Sequence, residues 1–102
     1  TVYINLKQDI SSENLIEYFQ NFYKDEPFVR ILPLGEYANS HFTVSSNFCD
    51  IGVHVDKRNQ RAIITSAIDN LIKGASGQAV QNMNLMLGIS ETTGLNFPGI
   101  FP

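Results

Sequence analysis

The sequence predicts an α+β fold with a mostly antiparallel or mixed sheet of about four strands and two helices. Three patterns support this prediction. Residues 2–7 alternate between apolar and polar side chains, as a half-buried strand does. Residues 15–23 carry apolar side chains at helical spacing. Residues 51–55 and 61–68 are apolar segments on either side of a short polar turn, which predicts an antiparallel hairpin.

The first strand and the first helix follow directly from these patterns. The strand places Val2, Ile4 and Leu6 on one face. Ser11 or Ser12 can cap the helix, which must end near residue 24 because Pro27 follows. The apolar stripe that should face the core consists of Leu15, Ile16, Phe19, Phe22 and Tyr23.

The middle of the chain predicts two further strands. Residues 28–32 are apolar and lie between two prolines, and residues 34–40 read as a loop. Residues 41–55 form the longest strand candidate. Their apolar side chains change face near Asn47 and Phe48, which predicts a bulge there.

The segment 74–90 contains no charged side chain. We expect a helix that runs to about Leu87 and stops at Gly88, followed by an irregular tail over 92–102. The expected apolar side of this helix consists of Ala79, Val80, Met83, Met86 and Leu87, and its amides are Gln78, Gln81, Asn82 and Asn84. Neutral amides suit a helix partly buried against another body, where each amide finds a fixed partner.

Residues 69–78 bring a lysine and small residues to the expected start of that helix. One interpretation is that exposed backbone N–H groups, with Lys73 beside them, bind a phosphate. The other is tight packing of a helix terminus on a neighbour. Asp69 is expected to act as a cap or an anchor for the chain around it.

Composition limits the classes of function. The chain has 102 residues, 43% of them hydrophobic, and a formal charge of -3, which disfavours nucleic acid as a partner. No apolar run is long enough to cross a membrane. One cysteine and two histidines cannot build a closed zinc site, so no metal is expected. No leader-like segment opens the chain, so we expect the cytoplasm.

No residue qualifies as catalytic on pattern alone. Cys49 lies in phase with the apolar side of its strand, so we expect it to be buried and inert. His54 shares the opposite face with Asp50 and Asp56 and is expected to be solvated or satisfied. Neither His41 nor His54 has a reacting partner that the sequence pattern indicates.

Three stretches carry a resemblance to a known family. They are DNLIKGASGQAVQNMNLMLG (69–88), SNFCDIGVHVD (46–56) and EPFVRILPLGEY (26–37). In this order they closely resemble the C-terminal part of the N-acetyl-gamma-glutamyl-phosphate reductase family. A shorter form of the first stretch is similar to aspartate-semialdehyde dehydrogenase, a sister family.

The resemblance implies a function and a fold. Such a reductase converts N-acetyl-glutamyl 5-phosphate to the semialdehyde with NADPH, a step of arginine biosynthesis. A cysteine thiolate attacks the acyl phosphate, phosphate leaves, and hydride transfer releases the aldehyde. The fold implied is part of a glyceraldehyde-3-phosphate-dehydrogenase-like C-terminal domain that binds substrate and forms oligomers.

The resemblance also implies that the chain consists of two parts with different roles. Residues 1–73 would be part of the substrate-binding and oligomerisation domain, and residues 74–102 a helix and tail that return to a missing N-terminal nucleotide-binding domain. Cofactor contact would fall to Gly77, Gln78 and Asn82. No catalytic residue carries over, because neither a Gly-Cys-Tyr-Pro-Thr-like nor a His-Arg-His-like motif occurs here.

Two expectations follow from the missing motifs and from Thr1 at the first position. The chain is read as a piece of a longer enzyme, inactive alone, that associates through open strand edges and an apolar helix face. Two alternatives remain. The chain is a stand-alone oligomerisation or ligand-binding module, or the parent acts on aspartyl phosphate. The sequence upstream of Thr1 would distinguish a stand-alone module from a piece of the reductase.

Overall fold

The computed structural model describes residues 1–100 and divides the chain into two compact units. The first unit comprises Thr1–Ala38 and Asp50–Ser66, and the second comprises Asn39–Cys49 and the chain from Ala67 onward. The strands are β1 (Val2–Asn5), β2 (Val29–Ile31), β3 (Cys49–Asp56) and β4 (Arg61–Ile68), and the helices are α1 (Ser12–Phe22) and α2 (Gly77–Met86).

One sheet of four strands has the order β1-β4-β3-β2. β1 runs antiparallel to β4, with Val2 opposite Ile64 and Asn5 opposite Arg61. β3 and β4 are neighbours joined by four residues, a connection too short for a parallel crossover, so they form the predicted hairpin. The structure confirms the predicted α+β class, with four strands and two α-helices among the described residues.

The helix α1 begins at one of the two predicted caps and ends at Phe22, slightly before the predicted end near residue 24. Ser11 is the N-cap, and its hydroxyl accepts a hydrogen bond from the Asn14 N–H at 3.1 Å. The Ser12 hydroxyl accepts from the Val55 N–H at 3.0 Å and so connects the helix to β3. The buried apolar residues of this unit are Ile16, Phe28, Ile51, Val53 and Ala62.

The strand β1 differs from its prediction because none of its four residues is even half-buried. Val2 is 55% exposed and Ile4 is 45% exposed, although the alternation predicted a half-buried face. β1 is an edge strand that hydrogen-bonds to β4 alone. Its apolar side chains therefore lack the neighbours that a second flanking element would supply.

The predicted long strand over 41–55 is wrong in its first half. Ser40–Phe42 is a 3-10 turn, and the chain becomes a strand only at β3. Short polar side chains bond to their own backbone here: Asn39 accepts from the His41 N–H, and the Thr43 hydroxyl donates to the Ser40 carbonyl. Such local bonds compete with strand pairing, and Ser45 adopts a φ of 58° that no strand accommodates.

The face of the sheet that carries Asp50 and His54 holds polar groups. The loop residues Tyr37 and Ala38 contact this face. The Asp50 carboxylate is 2% exposed and receives the Arg30 guanidinium at 2.6 and 3.0 Å. Tyr37 stacks on the His54 ring at 3.8 Å, and the Ala38 N–H donates to the Thr65 hydroxyl at 3.1 Å.

Two expectations for single residues need correction. His54 is half-buried rather than solvated, and within residues 1–100 its Nε2 has no hydrogen-bond partner. The Tyr37 ring covers it, which the alternation of β3 could not indicate. Cys49 is half-buried rather than buried in the core, because it is the first residue of β3.

Candidate functional site

The second unit contains the candidate site, which is built around α2. A π-helical turn, Ile72–Ser76, precedes α2 and runs into it without a break. Backbone N–H groups of Gly74, Ser76 and Gly77 donate to carbonyls five residues earlier. The segment 74–78 therefore presents no open helix N-terminus, and the phosphate-binding interpretation is wrong. The tight-packing interpretation holds instead.

Asp69 caps the turn that leads into α2, as predicted. One carboxylate oxygen accepts from the N–H groups of Leu71 at 2.7 Å and Ile72 at 3.2 Å. The other accepts from the Ser45 N–H at 2.7 Å. The bond from Ser45 does most to hold the pKa of Asp69 below its usual value, followed by the bond from Leu71, while partial burial opposes them. The ionised carboxylate thus connects two separate segments of this unit.

The helix α2 buries a different face from the one that apolar patterning indicated. Its buried residues are Gly77, Gln81 and Asn84. The side expected to be apolar is largely open: Met83 is 49% exposed and Met86 is 86% exposed. We expected the amides of α2 to find fixed partners on another body. The two inner amides, Gln81 and Asn84, do have fixed partners, but those partners belong to this chain.

Gln81 is the centre of a buried polar network. Its side-chain carbonyl accepts from the Asn47 amide at 3.0 Å and from the Lys73 ammonium at 2.8 Å. Its side-chain N–H group donates to the Glu91 carboxylate at 2.9 Å. Gln81 is 8% exposed and Asn47 is fully buried, so water competes little with these bonds.

Asn84 continues the network along the same face of α2. Its amide donates to the backbone carbonyls of Glu91 at 3.2 Å and Thr93 at 2.9 Å. Leu95, which is 4% exposed, is buried just beyond them. The predicted irregular tail over 92–102 has no helix or strand within residues 92–100, and residues 101 and 102 lie outside the described residues. The bonds from Asn84 attach the segment after α2 to the helix.

Gly77 is required by close packing. A side chain there would place its first carbon 2.3 Å from the Asn47 Oδ1 and 2.8 Å from the Ile72 carbonyl. The Asn47 Oδ1 is buried and, among the described residues, has no hydrogen-bond partner. Gly77 therefore lets α2 approach Asn47 closely enough for the bond between Asn47 and Gln81.

Gln78 and Asn82, one turn apart, lie outside the inner face. The Gln78 amide donates to the Asn82 side-chain carbonyl at 2.8 Å. Gln78 is half-buried and Asn82 is exposed. This bond uses one donor and one acceptor, which leaves the Gln78 carbonyl as an acceptor and the Asn82 amide as a donor for another group.

Sequence reasoning missed the residues that hold α2. Asn47 was considered only as the place of a bulge, and Glu91 was not singled out. Lys73 belonged to the phosphate-binding interpretation, which stood beside tight packing as an alternative. The available signal was the absence of charge on the helix together with two charged residues, Lys73 and Glu91, that flank it.

Residues 1–100 contain neither a candidate metal cluster nor a candidate membrane-spanning helix. No group of three or more His, Cys, Asp or Glu side chains is placed to hold a metal ion there. In the same stretch, no helix has both the length and the apolar character needed to span a bilayer.

Comparison with known proteins places the chain in a family. A family model described as "Semialdehyde dehydrogenase, dimerisation domain" matches residues 1–70. The chain therefore belongs to the semialdehyde dehydrogenase family through this dimerisation domain.

Individual relatives match the entire chain. It is similar to N-acetyl-gamma-glutamyl-phosphate reductase of Pelobacter propionicus, with 53% identity over 102 residues. It is similar to the proteins of the same name in Staphylococcus saprophyticus, at 50% identity, and Desulforamulus reducens, at 52%. These matches confirm the resemblance. The chain spans about 30% of the length of these relatives.

The Asp69 cap predicts how stability depends on pH. Because the folded-state pKa lies below the unfolded one, the stabilisation is complete above the unfolded value, about 4, and is lost as the pH falls through the folded value. Asp69→Asn should lower the urea midpoint of the chain at pH 7, and the difference from wild type should shrink below about pH 4.

The exposed Asp25 supplies the control for this measurement, because Asp25→Asn should leave the midpoint nearly unchanged at both pH values. An Asp69→Asn deficit that stays constant from pH 7 down to about pH 3 would show that ionisation of Asp69 plays no part.

Proposed function

We propose that this chain is the carboxyl-terminal part of an NADPH-dependent, cytoplasmic reductase. The enzyme would convert N-acetyl-glutamyl 5-phosphate to N-acetyl-glutamate 5-semialdehyde and phosphate, in arginine biosynthesis. The observation that carries the proposal is about 50% identity, across the entire chain, to proteins named N-acetyl-gamma-glutamyl-phosphate reductase. The match of residues 1–70 to a semialdehyde dehydrogenase domain supports the same class of reaction.

The outer amides of α2 suit contact with the cofactor. NADPH supplies a hydride from a nicotinamide ring that carries a carboxamide. A carboxamide offers one carbonyl acceptor and an amide donor, which complement the remaining donor of Asn82 and acceptor of Gln78. Gly77 would contribute through the close packing beneath this pair, since its own α-carbon is buried against Asn47 and Ile72.

The exposed side of α2 supports a contact between residues 74–102 and a further domain. Residues 1–73 would belong to the substrate-binding and oligomerisation domain. Residues 74–102 would pack against a nucleotide-binding domain outside this chain. Met86 and Leu87, 86% and 67% exposed, are large apolar side chains that such a domain would cover.

The catalytic groups of the proposed enzyme lie outside these residues. Neither expected motif occurs in the sequence, and Cys49 is half-buried at the start of β3, outside any such motif. The chain alone would therefore be inactive. The acyl phosphate substrate would be bound together with segments that precede Thr1.

The sister activity on aspartyl phosphate is the second candidate, because the matching family model names semialdehyde dehydrogenases in general. An assay of the full-length protein with both acyl phosphates separates the two candidates. Turnover of N-acetyl-glutamyl phosphate supports the proposal, whereas turnover of aspartyl phosphate alone would replace it. A protein without any reductase activity would favour a non-catalytic module.

Self-association is the first expected outcome. β1 is an exposed edge strand with apolar side chains, and the family model describes a dimerisation domain. The isolated chain should therefore sediment as a dimer or a larger species at micromolar concentration. A stable monomer in sedimentation velocity would contradict the proposed assembly.

Cofactor contact is the second expected outcome. In the full-length enzyme, Gln78→Ala or Asn82→Ala should raise the KM for NADPH or lower kcat, since a lost hydrogen bond costs about 1–3 kcal/mol. Asn21→Ala, which removes an exposed amide from α1, is the matched control and should leave both constants unchanged. If both α2 variants keep the wild-type KM for NADPH and the wild-type kcat, the proposed cofactor contact is wrong.

A further inference from the structure

We propose that Gln81 is a positioning residue that sets the orientation of the amide pair Gln78–Asn82 on α2. The inference rests on the proposed function, because the pair has a reaction to serve only in that enzyme. Gln81 is buried among Asn47, Lys73 and Glu91 and would not touch the cofactor itself. Its influence would pass through the helix that it shares with the pair.

The charges around Gln81 admit only one orientation of its amide. The Lys73 ammonium lies 2.8 Å from the carbonyl oxygen, and the Glu91 carboxylate lies 2.9 Å from the amide nitrogen. An ammonium has only donors and a carboxylate only acceptors, so rotating the amide by half a turn would break both bonds. The Asn47 amide adds a third bond on the carbonyl side, at 3.0 Å.

Hydrogen bonds add a directional constraint to the packing of a helix. The hydrophobic effect is itself non-directional, whereas each hydrogen bond needs a donor and an acceptor in a set geometry. Here the buried face of α2 consists of Gly77, Gln81 and Asn84, and the two amides make five bonds to fixed groups. The network therefore specifies both the rotation and the axial register of α2.

That rotation matters for the outer pair because Gln78 and Asn82 lie within one turn of Gln81. A side-chain end sits about 5–6 Å from the helix axis, so a rotation of about 20° would displace it by about 2 Å. Displacements of about 1 Å are enough to impair binding and positioning of a reacting group. Loosening Gln81 should therefore weaken cofactor contact without removing either contacting side chain.

The test uses the full-length reductase with three variants. Gln81→Met keeps the length of the side chain and removes its hydrogen bonds. Glu91→Leu removes the acceptor for the Gln81 amide, and Glu91→Gln restores an acceptor without the charge. The first two should raise the KM for NADPH about tenfold, with the KM for the acyl phosphate nearly unchanged, and Glu91→Gln should stay within about threefold of wild type.

A purely structural role would give a different result. It would reduce the fraction of active enzyme, and so the apparent kcat, while the surviving molecules kept the wild-type KM. Wild-type KM values for NADPH in Gln81→Met and Glu91→Leu would overturn the inference. If Gln81→Met does not fold, the comparison of Glu91→Leu with Glu91→Gln decides it, and equal KM values in those two variants overturn it.

The outcome for the outer pair separates this inference from the proposed function. If Gln78→Ala and Asn82→Ala raise the KM for NADPH but Gln81→Met does not, the cofactor contact stands and only the positioning role fails. If the wild-type enzyme shows no NADPH-dependent reduction, the proposed function fails and the positioning role fails with it.

Discussion

The buried carboxamide of Gln81, held between an ammonium and a carboxylate, is the interaction on which the second unit depends. It joins residues before, within and after α2, through Lys73, Gln81 and Glu91. Asn47 brings in a fourth segment. Because each bond has a required donor and acceptor, the arrangement fixes the Gln81 amide in one orientation. The apolar side chains of α2 are thereby left on the outside, available to another surface.

The two units are stabilised in different ways. The first has an ordinary apolar interior, with Ile16, Phe28 and Val53 at its centre, and a helix capped by Ser11. The second buries mainly polar side chains, among them Asn47 and Asn84. Buried polar groups contribute to stability only when each is paired, but they define a unique geometry. Such an interior suits the cofactor contact that we propose for α2.

The sequence predicted those parts of the fold that local rules control. Ser11 at the start of α1, the hairpin of β3 and β4, and the stop at Gly88 follow from capping, alternation and a positive φ. The inner face of α2 did not follow, because burial of Gln81 depends on distant partners and opposes the apolar pattern. The turn at Ser40–Phe42 was missed because side-chain bonds to the backbone override β-propensity there. Family resemblance, rather than geometry, indicated Gln78 and Asn82.

Side-chain amide exchange measured by NMR tests the buried carboxamide most directly. We expect the side-chain N–H protons of Gln81 and Asn84 to exchange at least about tenfold more slowly than those of Gln20, which is exposed on α1. Replacement of Glu91 by Leu should accelerate exchange at Gln81. If the Gln81 amide exchanges as fast as that of Gln20 in the wild-type protein, the carboxamide is not held and α2 owes its orientation to something else.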